Sequence, residues 1–241
     1  MVKDTKFQIF LDGANKGDII KYLKNPIISG FTTNPSLMKK AGIKNYKKFS
    51  LELCELINKT NKSISFEVFA DELNEMYDQA KVISRWSKNI YVKIPVVNTK
   101  GKSTSRIIKR LTLEGTKLNI TAVFTVKQCK KIIDSLENNV PAIISIFCGR
   151  IADTGVDPKM IIRKCKELIL KSKKKNIKIL WASTREALNI IQAKTYGCDI
   201  ITVTEDILKK YKNFGKNLNV FSIETVKMFY NDAKTSNFDL G

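Results

Sequence analysis

Histidine is missing from the chain, since none of its 241 residues is one. This absence excludes hydrolysis by a serine–histidine–aspartate triad, acid–base catalysis by imidazole and the common histidine-ligated metal sites. Any catalysis must therefore use carboxylates, lysine, tyrosine or water held by hydroxyl groups.

Other signatures are missing as well. The chain has no stretch of about 18 apolar residues, and its start, MVKDTKFQIF, lacks the apolar run of a secretory signal. The five cysteines are scattered and form no C-x-x-C pair, which favours reduced thiols over disulfides or a zinc site. They are Cys54, Cys129, Cys148, Cys165 and Cys198. We therefore expect a cytoplasmic protein that spans no membrane and binds no metal.

Acidic residues are scarce relative to basic ones: 23 Asp and Glu oppose 43 Lys and Arg, which gives a net charge of +20. Such a field attracts polyanions, so a nucleic-acid-binding protein is one interpretation. Most lysines, however, are dispersed over predicted helix surfaces, and the densest run, Lys171 to Lys178, has no interleaved aromatic residues. We interpret this run as a solvated turn and expect no nucleic-acid partner.

Short apolar runs rich in β-branched residues alternate with amphipathic segments along the chain. The predicted strands are Phe7–Asp12, Ile27–Thr32, Ile64–Phe69, Ile90–Pro95, Leu118–Phe124, Ala142–Phe147, Ile177–Ala182 and Asp199–Val203. The helical patterns between them include Tyr46–Lys59, Leu73–Ser87, Ser103–Glu114, Val126–Glu137, Pro158–Ser172 and Thr184–Tyr196. Eight strands with helical crossovers over roughly 250 residues predict an α/β protein, a (β/α)8 TIM barrel.

A doubly wound open sheet is the alternative fold, but the chain has no G-x-G-x-x-G motif and no P-loop. A further helical pattern, Ser222–Lys234, follows the last strand. No linker, low-complexity tract or repeat divides the chain. We therefore expect one domain over residues 1–241, with an additional C-terminal helix at about 222–234.

One predicted strand carries a lysine at its centre, in the segment Asn-Ile-Tyr-Val-Lys93-Ile-Pro-Val-Val. Alternation puts Ile90, Val92 and Ile94 on one face and Lys93 on the other. A buried ammonium is costly unless it is paired or neutralised, and a desolvated lysine amine is the usual nucleophile for a Schiff base with a carbonyl substrate. A lysine that faces solvent is the alternative interpretation.

Polar side chains of other strands share the inward face predicted for Lys93, and several lie near the carboxyl ends of strands, where barrel active sites form. The residues that could converge in one pocket are Asp12, Asn34, Glu67, Lys93, Thr121 and Ser145. A lysine with two acids in this set favours a catalytic pocket over a solvent-facing lysine. A second cluster, Arg150, Ser183 and Arg185, follows strands six and seven and suits phosphate oxygens. Ordinary surface ion pairs are the alternative for the two arginines.

At these residues the chain resembles the transaldolase family, class I aldolases whose Schiff-base lysine lies on the fourth strand. The matching motifs are FLDGA from Phe10, GFTTNPSL from Gly30, VKIP from Val92, LNIT from Leu118, SIFCGR from Ser145 and WASTR from Trp181. They cover nearly the whole chain, and T-T-N-P-S is specific whereas V-K-I-P alone is not. The length resembles the small subfamily, which also includes fructose-6-phosphate aldolases.

The resemblance implies a transaldolase, which moves a dihydroxyacetone unit between sugar phosphates in the non-oxidative pentose phosphate pathway and needs no cofactor. It assigns the Schiff base to Lys93, one proton transfer to Asp12, and another to Glu67 through a water held by Thr121. The implied substrate contacts are Asn34, Ser145, Phe147, Arg150, Ser183 and Arg185. Desolvation in the barrel is expected to lower the pKa of Lys93, so that more of the amine is neutral.

Two positions bear on the choice between the family's two activities. The aldolases tend to have glutamine in place of Glu67 and tyrosine in place of Phe147, so this chain has the transaldolase pattern. Fructose-6-phosphate aldolase is the alternative, and a basic nucleic-acid-binding protein on an inactive barrel is a remote one. The terminal helix resembles the segment that packs on a neighbouring subunit in small transaldolases, often as ring-like decamers. The expected partners are therefore sugar phosphates and further copies of the chain.

Overall fold

Eight parallel strands form a closed barrel in sequence order, and the last strand pairs with the first. The computed structural model describes residues 7–236 and 238–239. The strands are β1 Gln8–Asp12, β2 Ile28–Thr32, β3 Ser63–Glu67, β4 Ile90–Pro95, β5 Leu118–Val123, β6 Ala142–Ile146, β7 Ile177–Trp181 and β8 Ile200–Val203. The predicted (β/α)8 TIM barrel is confirmed.

Helices follow the strands and form the outer layer of the barrel. They are α1 Lys16–Leu23, α2 Pro35–Lys40, α3 Tyr46–Ile57, α4 Leu73–Ser84, α5 Ser105–Leu113, α6 Val126–Ser135, α7 Cys148–Ala152, α8 Lys159–Lys171, α9 Leu188–Tyr196, α10 Glu205–Lys210 and α11 Leu218–Thr235. The sequence prediction lacks α1, α2, α7 and α10, because such short helices hardly display a helical period. It also misplaces two helix starts: α9 begins at Leu188 instead of Thr184, and α11 at Leu218 instead of Ser222.

Strand alternation divides the apolar side chains between the two faces of the barrel wall. The large group faces outward and is buried under the helices. A smaller inner cluster contains Phe10, Ile143, Leu180 and Ile200. Gly30 makes room for this cluster, because a Cβ at position 30 would lie 2.8 Å from the Phe10 ring. The inner cluster fills part of the interior and leaves the carboxyl ends of the strands to polar side chains.

A β-bulge interrupts β5 at Ala122. The register against β6 gains one residue between Ile120 and Val123, and Ala122 has a φ of +57°. Strict alternation predicts that Ala122 faces the helices, opposite Thr121, and this prediction is wrong. Both residues line the cavity at the end of the barrel, because the bulge re-aims the chain there.

Lysines at the amino-terminal end of the barrel satisfy backbone carbonyl groups. Lys117 Nζ donates to the Lys88 carbonyl at 2.8 Å, and Lys174 Nζ donates to the Ile133 carbonyl at 2.7 Å. Lys174 belongs to the basic run Lys171–Lys178, which links α8 to β7. The interpretation of this run as a turn is confirmed. Part of the basic excess therefore satisfies backbone carbonyl groups where helices and loops end.

The terminal helix α11 differs from the others, since none of its residues is buried. Val226, Phe229 and Tyr230 on this helix are 62%, 61% and 66% exposed. The additional C-terminal helix predicted from the sequence is thus present, but its apolar residues add nothing to the core. Among the described residues, no helix is long and apolar enough to cross a membrane.

Candidate active site

The carboxyl ends of the strands surround a cavity of about 580 Å³. All ten of the candidate site residues proposed from the sequence line it. Five of them lie on strands β1, β3, β4, β5 and β6, and the other five lie on the segments that follow β2, β6 and β7. The structure therefore brings the predicted set together at the end of the barrel where active sites form.

Lys93 projects into the cavity from β4 and is only 6% exposed. Its Nζ lies 3.3 Å from Glu67 Oε2 and donates a hydrogen bond to the Thr33 carbonyl at 3.2 Å. The register of β3 and β4 sets Glu67 directly beside Lys93. The interpretation of Lys93 as a solvent-facing lysine is therefore wrong.

Asp12 and Glu67 supply the carboxyl groups of the cavity. Burial raises the pKa of both carboxyls above their usual values and outweighs Lys93, which lowers them. A hydrogen bond from the Thr32 hydroxyl, 2.7 Å from Asp12 Oδ1, also opposes the shift in Asp12. A carboxyl with a raised pKa holds a proton more readily than an exposed one, which suits it to general acid–base catalysis.

Thr121 presents a hydroxyl group to the same cavity from β5. This hydroxyl is buried, and no hydrogen-bond partner for it lies among residues 7–236 and 238–239. An unpaired buried hydroxyl costs about 1–3 kcal/mol. The group is therefore suited to a substrate atom or to a bound water molecule.

Ser145 is held by a chain of side-chain hydrogen bonds across the barrel interior. Its hydroxyl donates to Asn119 Oδ1 at 2.6 Å, and Asn119 Nδ2 donates to Ser65 Oγ at 3.1 Å. All three residues are at most 1% exposed. Sequence alternation predicts an inward-facing Asn119 but gives it no role, since the role depends on partners in other strands.

Asn34 and Phe147 enter the cavity from the starts of two helices. Asn34 caps α2, because its Oδ1 accepts a hydrogen bond from the Leu37 amide at 2.9 Å. Its Nδ2 makes no hydrogen bond to any other described residue, so this group can donate to a ligand. Phe147 packs on Phe124, with ring centroids 5.7 Å apart, and gives the cavity an apolar surface.

The loops after β6 and β7 touch at Gly149 and Ser183. A Cβ on Gly149 would lie 1.6 Å from the Ser183 carbonyl oxygen, so only glycine permits this approach. Ser183 itself has a left-handed backbone, with a φ of +63°. The contact holds Arg150, which follows Gly149, near the Ser183 side of the cavity.

The two arginines of the cavity differ in their partners. Arg185 Nε donates to Asp153 Oδ1 at 3.0 Å, and a second guanidinium nitrogen contacts the other carboxylate oxygen. The Arg150 side chain makes no hydrogen bond to any other described residue. Among the described residues, Arg185 thus forms an ion pair with Asp153, whereas Arg150 forms none and acts on Asp153 only through its charge. Sequence spacing gave no indication of the Asp153 partner.

Within the described part of the chain, no group of three or more cysteine, aspartate or glutamate residues could hold a metal ion. The cavity combines two lysines, Lys40 and Lys93, with two carboxyls, two arginines and several hydroxyl and amide groups. Such a set is suited to a carbonyl substrate that carries hydroxyl groups and an anionic end.

Comparison with known families gives a match over almost the whole chain. The family model described as transaldolase/fructose-6-phosphate aldolase matches residues 9–240. The chain belongs to the transaldolase/fructose-6-phosphate aldolase family. The resemblance that the sequence motifs indicate is therefore confirmed.

Relatives of the chain within this family are named as probable transaldolases. One from Dehalococcoides mccartyi is 36% identical over 201 residues, which is 83% of this chain and 88% of that relative. One from Carboxydothermus hydrogenoformans is 35% identical, with 83% and 88% covered. One from Herpetosiphon aurantiacus is 29% identical, with 90% and 94% covered.

Solved structures add support for the fold alone. The structure described as "Native KDPGal structure" aligns with a TM-score of 0.56 over 83% of this chain and 83% of that one. Its sequence identity is 11%. At this identity the likeness concerns the barrel fold alone. It carries no information on the substrate of this chain.

Proposed function

We propose that this protein is a transaldolase. It transfers a dihydroxyacetone unit from sedoheptulose 7-phosphate to glyceraldehyde 3-phosphate, giving erythrose 4-phosphate and fructose 6-phosphate, in the non-oxidative pentose phosphate pathway. The single observation that carries the proposal is the buried Lys93 amine, 3.3 Å from the Glu67 carboxylate in a cavity that also contains Asp12. A lysine nucleophile is activated by a desolvated position, and the neighbouring carboxyls can carry the protons that Schiff-base formation moves.

The first steps form a Schiff base between Lys93 and the substrate ketone. The neutral Nζ attacks C2 of the ketose phosphate and gives a carbinolamine, which loses its hydroxyl group as water to leave an iminium. Glu67 gives and takes the required protons through a water held by the Thr121 hydroxyl. The buried, unpaired Thr121 hydroxyl and the raised pKa of Glu67 both support this assignment.

The next step breaks the C3–C4 bond. Asp12 takes the proton of the C4 hydroxyl, the aldehyde leaves, and the bond electrons pass through the iminium to form an enamine on Lys93. The enamine C3 then attacks the carbon of the acceptor aldehyde, and Asp12 returns the proton to the new hydroxyl. Water finally hydrolyses the iminium, which releases the product ketose and restores the Lys93 amine.

Further residues of the cavity bind and shield the sugar. Asn34 and Ser145 hold the hydroxyls of the dihydroxyacetone unit, and the apolar ring of Phe147 protects the enamine. Arg150, Ser183 and Arg185 bind the phosphate at the other end. The Arg150 guanidinium, which has no hydrogen-bond partner within residues 7–236 and 238–239, and the close approach of the two loops support this division.

Transfer rather than aldol cleavage is favoured by Glu67 and Phe147. A transferase must keep its enamine intact until an aldehyde arrives, whereas an aldolase protonates it and releases dihydroxyacetone. Phe147 carries no hydroxyl that could protonate the enamine. The names of the relatives, probable transaldolases, agree with this choice. Fructose-6-phosphate aldolase is the second candidate.

Paired assays distinguish these activities. The enzyme is given fructose 6-phosphate with and without erythrose 4-phosphate, and sedoheptulose 7-phosphate and free dihydroxyacetone are both quantified. We expect transfer to be much faster than release of dihydroxyacetone, and both to vanish in Lys93→Ala. Release at the rate of transfer would identify an aldolase, and activity retained in Lys93→Ala would refute the lysine mechanism.

The wider setting of the protein is part of the same proposal. We infer a homo-oligomer in which the exposed apolar residues of α11 pack on a neighbouring copy, with the ring-like decamer as its model. The five cysteines are free and buried, which fits the reducing cytoplasm. Sugar phosphates and other copies of the chain are then its partners, and the basic field assists the approach of anionic substrates.

A further inference from the structure

Two threonine hydroxyls form a hydrogen-bonded series with Asp12, and both threonines line the cavity. Thr32 Oγ1 donates to Asp12 Oδ1 at 2.7 Å, and the hydroxyls of Thr32 and Thr202 lie 2.5 Å apart. Thr32 is 2% exposed and Thr202 5% exposed, so water competes little for either group. The residues belong to the neighbouring strands β2, β1 and β8, whose register sets Asp12 beside Thr32.

The donor and acceptor in each of these hydrogen bonds follow from the number of protons available. A hydroxyl has one proton to donate, and that of Thr32 is used on Asp12. The contact between the two threonines therefore requires Thr202 to donate to Thr32. The strand position of Thr202 is held in turn, because the Thr184 hydroxyl donates to the Thr202 carbonyl at 2.7 Å.

The consequence for Asp12 is a carboxylate with two different oxygens. Oδ1 is occupied by the threonine chain, whereas Oδ2 makes no hydrogen bond to any other described residue. Oδ2 is thus the oxygen available to a substrate proton in the cavity. Hydrogen bonds in such a chain polarise one another, so the outer donor strengthens the inner one.

We propose that Thr202 is a positioning residue for Asp12: it directs the single Thr32 proton onto Oδ1 and so turns Oδ2 towards the substrate hydroxyl. This inference rests on the proposed function, since it concerns the base that takes the C4 hydroxyl proton. Thr202 contributes to the cleavage of the C3–C4 bond and not to formation of the Schiff base.

The test compares Thr202→Val, which keeps the shape and removes the hydroxyl, with Thr202→Ser, which keeps the hydroxyl. We expect Thr202→Val to lower kcat for transfer by about tenfold to a hundredfold, the cost of a misplaced catalytic group, with little change in KM. Its acidic limb of kcat/KM moves to higher pH, because a carboxylate with weaker hydrogen bonds is protonated more easily. Two charged groups face Asp12, namely Lys93 and Glu67, and the substitution changes neither of them.

Borohydride trapping with fructose 6-phosphate reports the affected step. In Thr202→Val the adduct shifts from the three-carbon to the six-carbon form, since the imine forms but cleavage slows. Thr202→Ser restores the wild-type rate and pH profile. Thr112→Val, the same change at a buried threonine of α5, leaves both unchanged.

Thermal melting curves of all three variants establish that they are folded. The inference is overturned if folded Thr202→Val keeps the wild-type rate and acidic limb, or if Thr202→Ser loses as much activity as Thr202→Val. A wild-type enzyme that forms no adduct on Lys93 at all would refute the proposed function itself, and this inference with it.

Discussion

Lys93 and its acidic neighbours form an energetically costly arrangement of buried side chains. Taking an ammonium and two carboxyls out of water is unfavourable, and their mutual attraction offsets only part of that cost. The raised pKa of Asp12 and of Glu67 is the direct sign of this imbalance. A protein that needed only stability would gain by replacing these groups with neutral ones, so the arrangement is best explained by catalysis.

Glu67→Gln is expected to stabilise the protein and to impair it as an enzyme. Burial raises the pKa of Glu67 in the folded protein above its pKa in the unfolded chain. The protonated carboxyl therefore stabilises the fold fully below the unfolded-state pKa, and this stabilisation is lost as the pH rises through the folded-state pKa. Glutamine does not ionise and avoids this loss. The melting temperature of Glu67→Gln should exceed that of the wild type at pH 7–8 and converge with it near pH 4, while transfer falls about 10²–10⁴-fold.

Glu52→Gln supplies the matched control at an exposed carboxyl. Its hydrogen bond with Lys16 lowers the Glu52 pKa, so ionisation of Glu52 stabilises the folded protein, whereas ionisation of Glu67 destabilises it. The neutral Glu52→Gln variant should therefore melt no higher than the wild type at pH 7–8. Melting curves across the pH range measure both variants. A Glu67→Gln protein that melts below the wild type at pH 7–8 would show that the ion pair with Lys93 outweighs burial.

At the scale of elements, strand alternation predicts much of the site and packing decides the rest. The inward orientation of Lys93, Glu67 and Asn119 follows from strand alternation alone, because every second residue of a strand faces the interior. The Ala122 bulge does not, since an extra residue in a ladder leaves no mark in a hydrophobic pattern. The Arg185–Asp153 pair joins two loops and could not be predicted either, because loop conformation lacks a period.

The contact between the β6 and β7 loops gives a prediction for Gly149→Ala. The added Cβ would lie 1.6 Å from the Ser183 carbonyl oxygen, so the two loops must separate. We expect the KM for fructose 6-phosphate to rise roughly tenfold or more, the effect of losing one charge-assisted hydrogen bond of about 1.5–3 kcal/mol. Steady-state kinetics measure this change.

Gly17→Ala serves as the control, because its Cβ would meet one side-chain atom alone, the α1 capping oxygen Asn15 Oδ1 at 3.1 Å, which has to shift by only a few tenths of an ångström. Alanine is also favoured within helix α1, so the fold should tolerate it. Its KM should equal that of the wild type. An unchanged KM in folded Gly149→Ala would contradict the assignment of these loops to phosphate binding.

At the scale of the whole molecule, α11 is the element that the barrel leaves unexplained. Its exposed apolar residues are consistent with burial against another copy, as the sequence resemblance implies. Phe229→Lys on α11 should therefore shift the protein to smaller species in size-exclusion chromatography with light scattering. Leu170→Lys, a like change at an exposed residue of α8, should leave the mass unchanged. A wild-type monomer would refute the inferred assembly.

The central claim, a Schiff base on Lys93, is tested most directly by borohydride reduction in the presence of fructose 6-phosphate, followed by peptide mass spectrometry. The account predicts a glyceryl-type adduct, the reduced dihydroxyacetone unit, on the peptide that contains Lys93, and none in Lys93→Ala. No adduct in the wild type, or an adduct that persists in Lys93→Ala, would contradict it.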